Sequence, residues 1–239
     1  MNKRLLFLHV FSSLALSSLI MLSKPASADG MVVDKVYHPY VVANEMEVEW
    51  RLMSSQTDTI NRLSQRLGFG YSVAENVAME LYIIGERDVS GNFETSAFEL
   101  ETRWMLTEQG QYWLDWGAIF EIERNTQINS IEASAGLVIE KEFDKTSLTL
   151  NWFLIFEEGS NIESEFETEF RAKYRYRFMP EIQPAIELYA GEDYFGIGPA
   201  IMGVHRFEGQ RQIKWEAGFI SEVSNKARLP FNLALTLKA

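Results

Sequence analysis

The feature that most constrains this chain is an alternation of apolar and polar residues with a period of two, purest over 165–178. Phe166, Thr168, Phe170, Ala172, Tyr174, Tyr176 and Phe178 fall on one face. Glu165, Glu167, Glu169, Arg171, Lys173, Arg175 and Arg177 fall on the other. A pleated strand sends successive side chains to opposite faces, whereas a helix would scatter both sets around its circumference. The same pattern sets Ile131, Ala133, Ala135, Leu137 and Ile139 against Glu132, Ser134, Gly136 and Glu140. It also sets Phe98, Leu100, Thr102, Trp104 and Leu106 against Glu99, Glu101 and Arg103. Less pure versions oppose Phe120 and Ile122 to Glu121 and Glu123, and Trp152, Leu154 and Phe156 to Asn151 and Glu157.

Extended along the chain, the pattern predicts twelve strands, near 45–54, 61–73, 77–87, 93–106, 111–124, 130–143, 146–157, 164–178, 183–191, 196–206, 212–222 and 229–238. Many are joined by short turns such as Ala74-Glu75-Asn76 and Phe143-Asp144-Lys145, which suit antiparallel neighbours. Crossing a bilayer at a tilt takes about 9 to 11 residues per strand, while strands of soluble proteins average about 5 to 6. The expected fold is therefore all-β: a transmembrane, antiparallel, up-and-down β-barrel of about twelve strands, with its charged face inward. Aromatic residues gather near strand ends, Tyr71, Trp104, Tyr112, Tyr174, Tyr176, Phe178 and Trp215 toward one rim and Phe93, Phe120, Phe156 and Phe166 toward the other. Such girdles mark membrane interfaces, although Trp50 and Trp152 fall nearer mid-strand.

The amino-terminal sequence fits export. Lys3 and Arg4 precede an apolar run that ends in Ala26-Ser27-Ala28, the order of a cleavable signal peptide, with cleavage expected before Asp29. The domain reading is a signal peptide over 1–28, a periplasmic segment over 29–44 and a barrel over 45–239. Losing residues 1–28 removes Lys3, Arg4 and Lys24 and no acid, so the formal charge falls from -12 to -15. A surface this acidic repels nucleic acid. Cysteine is absent, so no disulfide framework and no lipidated cysteine are available.

Through the alternation and the signal, the chain resembles the broad class of small bacterial outer-membrane barrels over 45–239, without matching a narrower family. It departs from that class at its end, Leu235-Thr236-Leu237-Lys238-Ala239, where an aromatic residue that assists assembly is usual. The resemblance implies an outer-membrane location. It also implies as partners outer-membrane lipid and lipopolysaccharide, the barrel-assembly machinery and a small solute. Members of the class are channels, structural proteins or lipid-modifying enzymes.

Within the expected lumen, Glu121, Glu123, Glu132, Glu157, Glu165 and Glu167 should gather near the outer mouth. Arg51, Arg62 and Arg66 should lie across from them, and Arg171, Lys173, Arg175 and Arg177 should line one further strand. A transverse field of this kind sorts charged solutes, which gives a passive channel for small cationic or zwitterionic solutes as the leading expectation. The alternative is a closed structural barrel in which these charges pair, Arg103 with Asp115 and Glu140, and Arg175 with Glu187. An outer-membrane lipid enzyme is a further alternative. Its candidates are thin: only His38 and His205 survive loss of the signal, and Ser147 or Ser221 stand at no diagnostic spacing. The glycine alternations Gly68-Phe69-Gly70 and Gly196-Ile197-Gly198 lack the strand-to-helix setting of a nucleotide site. No thiolate or two-histidine pattern calls for a metal, and no cofactor is expected. No loop is long enough for an obvious plug, and Val36-Tyr37-His38-Pro39-Tyr40 is distinctive without an assigned role.

Overall fold

Each alternating segment forms a strand. The computed structural model describes residues 34–56, 61–87, 91–160, 162, 164–192, 194–209, 211–223 and 231–238. The signal peptide assigned to 1–28 lies outside them. The strands are β1 (Met46–Gln56), β2 (Asn61–Ala74), β3 (Val77–Arg87), β4 (Phe93–Met105), β5 (Asp115–Asn125) and β6 (Ser130–Phe143). They continue as β7 (Thr146–Gly159), β8 (Glu165–Tyr176), β9 (Gln183–Ala190), β10 (Phe195–Arg206), β11 (Gln212–Glu222) and β12 (Phe231–Lys238). Each pairs antiparallel with its sequence neighbour, and β1 pairs with β12, so the sheet closes into a barrel. Closure matters because an open edge in hydrocarbon would leave backbone N–H and C=O groups without partners.

Local chemistry sets the turns. Between β6 and β7 the chain reverses over Asp144 and Lys145, and Asp144 takes a positive φ of 53°, a left-handed conformation that aspartate tolerates. The fifth strand starts at Asp115 rather than at 111. Before it the chain coils through Gly110, whose φ is 73° and whose N–H donates to the Asp115 carboxylate at 2.9 Å. Outer-membrane barrels carry their short turns on the periplasmic side, and this end is called periplasmic by that convention.

The two faces are sorted as the alternation requires. Leu81, Ile122, Trp152, Leu154 and Phe170 are exposed on the outer wall, while Arg51, Glu80, Glu101, Glu140 and Lys173 are buried inside it. Large apolar groups outside and charges inside invert the order of a soluble protein and match a wall solvated by lipid. Tyr71, Trp104, Tyr174, Tyr176 and Phe178 form a periplasmic girdle of exposed rings, and Phe93 and Phe166 stand at the opposite rim. Phe120 is not part of that rim: it pairs with Thr102 and Ala135 at the middle of β5, because the strand continues to Asn125.

The largest departure from expectation is inside. The described part of the 29–44 segment, from Asp34 on, does not stand in the periplasm. It runs within the barrel, from mid-depth at Asp34 down to Val42, whose carbonyl accepts from Ser72 Oγ at 2.6 Å. The short loops offered no plug, and the amino-terminal segment supplies one.

The sorting of faces predicts an asymmetric response to charge. Leu154 is exposed on the outer wall at mid-depth, opposite Ala135 and Thr168. Leu154→Arg should lower stability by about 2 to 4 kcal/mol. Glu157→Arg, three residues along the same strand and on the lumen face, should be neutral or stabilising because it relieves a row of like charges. Urea unfolding in lipid vesicles measures both, and equal losses would show that the faces are misassigned.

Candidate functional site

The plug is held by matched groups on the wall. Asp34 lies among three guanidinium groups: Arg51 from β1, Arg66 from β2 at 3.2 Å and Arg171 from β8 at 3.0 Å. Burial by itself would raise the Asp34 carboxyl. Arg51, Arg66, Arg171 and Lys35 outweigh it and hold the group well below its ordinary 3.8. Lys35 donates to Glu49 at 3.2 Å and to the Tyr82 hydroxyl at 2.9 Å. The backbone of Tyr37 is gripped twice by Asn151, which accepts from its N–H at 2.7 Å and donates to its carbonyl at 3.0 Å. Its ring packs against Ile119, Val138, Phe153 and Ile155, and its hydroxyl donates to Glu121 at 2.7 Å. His38 meets Glu140, and Tyr40 donates to Asp115 at 2.8 Å.

Two glycines are explained by these approaches. A Cβ on Gly117 would lie 2.9 Å from Pro39 Cα, so the plug backbone can pass β5 only if that position is bare. Gly136 lies against the Phe153 ring, and a Cβ there would fall 2.4 Å from a ring carbon. Val36 completes the packing against Tyr189 and Ile220. Mid-lumen is therefore filled: Tyr37 is 2% exposed and Phe153 not at all. Toward the periplasm a cavity of about 440 Å³ remains beside the plug, with His38, Tyr40, Glu47, Arg103, Met202 and Lys214 among its lining.

The basic residues expected to face an open path are instead engaged. Arg51 binds Glu49 as well as Asp34, and Arg66 also binds Glu99. Arg171 takes Glu169 at 2.6 Å. Lys173, rather than Arg175, meets Glu187, at 2.8 Å, and it reaches Glu216 at 2.6 Å, because the β8–β9 register sets Lys173 opposite Glu187 and Arg175 opposite Ala185. Arg175 turns to Glu140 at 3.4 Å, and Arg177 pairs with Glu142 at 2.7 Å at the periplasmic rim. Arg103 likewise misses Asp115 and Glu140. Its register partner on β5 is Ile119, and its guanidinium turns the other way, to Glu80 on β3 and Glu47 on β1. Arg62 sits on β2 opposite Ser55, toward the outer end. The expected transverse field is thus largely cancelled at mid-depth.

The acids behave differently. Glu99 pairs in register with Glu123, Glu123 with Glu132, Glu132 with Glu157, and Glu157 with Glu165. Five adjacent strands each place a carboxylate directly opposite the next, a ladder that descends from the outer mouth at β8 to mid-depth at β4. Side chains so paired stand about 4.5 to 5.5 Å apart, close enough for like charges to repel. Among the described residues no ion pair involves Glu123, Glu132, Glu157 or Glu165. Glu167 lies on the same face opposite Ile155. Glu121 is not at the mouth: it sits deeper, accepting from Tyr37 and from Ser134. Registers of this kind depend on turn lengths and barrel stagger, so the alternation alone gave the face and not the row.

The histidines serve elsewhere. His205 stacks edge-on with Phe207 at 4.9 Å. Ser221 pairs with Ile197, at the other end of β10 from His205, and Ser147 lies inside the barrel against Arg175.

No family model matches the chain, and no curated protein matches it either. Solved structures do. A KdgM porin in complex with disordered oligogalacturonate is 11% identical, with a TM-score of 0.55 over 80% of this chain and 97% of that one. The KdgM porin without it gives 9% and 0.54 over the same shares. The Acinetobacter baumannii outer membrane protein Omp33 is 9% identical over 82% of this chain and 98% of its own, with a TM-score of 0.48. At such identities the likeness is one of architecture. In fold, this chain is a closed antiparallel β-barrel similar to that of the KdgM porin.

Proposed function

We propose that the protein is an outer-membrane channel for small cationic or zwitterionic solutes, held closed in this state by its own 34–42 segment. The carboxylate ladder carries the reading. A row of acids on five neighbouring strands, in which Glu99 alone meets a cation among the described residues, concentrates positive charge at the outer mouth and repels anions. It is unsuited to an oligomer of sugar acids such as the oligogalacturonate bound by the KdgM porin. Export through a signal peptide over 1–28, insertion by the barrel-assembly machinery and a surround of lipid and lipopolysaccharide belong to the same proposal. The packing of Tyr37, Ile119 and Phe153 at mid-depth favours a second reading, a permanently closed structural barrel.

Conductance in planar bilayers separates the two. The wild-type protein should pass little current, whereas Asp34→Asn, which leaves three guanidinium groups short of their shared carboxylate, should open it and lower stability by about 3 to 5 kcal/mol. Because the folded carboxyl titrates below its ordinary 3.8, the contribution of Asp34 is fully present above that value and lost only as pH falls beneath it. Occlusion should therefore persist through neutral and mildly acid solution. Silence of both proteins would favour the structural barrel.

In the opened variant, changing Glu123, Glu132, Glu157 and Glu165 together to Gln should move the reversal potential in a salt gradient toward anions. The measurement belongs at low salt, since screening at about 0.1 M already weakens charges beyond about 10 Å. An unchanged reversal potential with intact conductance would exclude the ladder from the conduction path.

A further inference from the structure

Where the ladder meets the plug, three carboxylates converge, and two of them keep oxygens that no hydrogen bond satisfies. We propose that Glu99, Glu101 and Glu121 form a binding site for a single hard divalent cation of the calcium type. One oxygen from each lies within 4.8 Å of the others, Glu99 and Glu101 from β4 and Glu121 from β5. Register explains the meeting: Glu101 stands directly opposite Glu121, and Glu99 is the next residue up on the same face of β4.

The acids alone would not make a site, but two of them are buried with oxygens left over. Glu101 is 1% exposed, and neither of its carboxylate oxygens has a hydrogen-bond partner; Glu99 is 5% exposed, and its Oε1 has none. A buried, unpartnered carboxylate oxygen is strongly disfavoured unless something positive reaches it. The nearby cations reach Glu101 only as long ion pairs, without a hydrogen bond, and stand closer to other acids. Lys35 is 3.6 Å from Glu101 but 3.2 Å from Glu49. Arg103 is 3.9 Å from Glu101 while it binds Glu80 directly and Glu47 at 3.2 Å. Arg66 takes the other oxygen of Glu99. Glu121 is held in place by hydroxyl donors, Tyr37 at 2.7 Å on Oε1 and Ser134 at 2.5 Å on Oε2. Each of its oxygens keeps a lone pair, so these donors orient a ligand without consuming it.

The donor set selects the ion. All three ligands are carboxylates, which suit hard cations rather than zinc or copper. Calcium binds oxygen at about 2.3 to 2.6 Å, so ligands on opposite sides of it stand nearly 5 Å apart; magnesium requires about 2.0 to 2.1 Å and surrenders its water reluctantly. The three oxygens, all within 4.8 Å of one another, leave room for the larger ion, and calcium's readiness to exchange water for carboxylates favours it over magnesium. Glu123, paired with Glu99, links the site to the ladder and so to the outer mouth. This site stands independently of whether the barrel conducts.

The test uses full-length folded protein in detergent, stripped with chelator and returned to chelator-free buffer. Terbium, a luminescent substitute for calcium, should bind one per chain and be sensitised by Tyr37, whose hydroxyl touches Glu121. Calcium should displace it, and magnesium at equal concentration should not. Glu101→Gln should weaken calcium binding by about tenfold or more. Glu142→Gln, the same loss of charge at the periplasmic rim, should leave it unchanged. Should Glu101→Gln fail to fold, the wild-type unfolding midpoint still decides, rising with calcium and not with potassium chloride of matched ionic strength. Absence of binding, an unmoved midpoint or equal weakening by both variants would overturn the site, the last by reducing it to diffuse attraction. Equal displacement by magnesium would overturn the assignment to calcium.

Discussion

A barrel of twelve strands encloses more space than its own wall can fill. Eight strands give an interior that side chains close by themselves, and sixteen or more leave an aqueous channel. Between those limits something must occupy the middle or water will. Here the chain answers with its own amino-terminal segment, and the organisation of the lumen follows from that choice. Tyr37 covers Ile119, Val138 and Phe153, and Pro39 requires Gly117 to be bare. Asp34 gives three buried arginines a shared counter-charge.

The charges divide by depth as a consequence. At the level of the plug, burial makes pairing compulsory, since an unpaired ion there loses its hydration without compensation. Lys173, Arg171 and Arg51 therefore each hold two carboxylates. Toward the outer mouth, Glu123, Glu132, Glu157 and Glu165 align on four neighbouring strands with no ion pair among the described residues. The boundary between these regimes falls at Glu99, Glu101 and Glu121, where the lowest acid of the ladder, Glu99, meets Arg66 and stands beside the Glu101–Glu121 pair.

Such a network contributes more to specificity than to stability. Ion pairs buried in a protein roughly offset their own desolvation, but each one broken leaves a stranded charge. The plug is thus held in one register by many partners, none of which needs to be strongly stabilising alone. Apolar contacts at Val36 and Tyr37 add a term that salt does not screen.

The sequence by itself determined the wall. Alternation with a period of two needs only the pleat, so the twelve strands, their antiparallel order and the inward turn of Arg171, Lys173 and Glu132 were legible without coordinates. Even the plug left a trace in it, since Ile119, Val138 and Phe153 interrupt the polar faces of β5, β6 and β7 where Tyr37 later packs. Only the tertiary structure decided what fills the wall and which charges meet. Register depends on turn lengths and stagger added strand by strand, and it sets Arg103 opposite Ile119 rather than Asp115, and Lys173 rather than Arg175 opposite Glu187. The course of 34–42 depends on contacts with residues more than a hundred positions away, such as Asn151 with Tyr37. No local pattern encodes those meetings, because neither side acquires a partner until the barrel has closed around both.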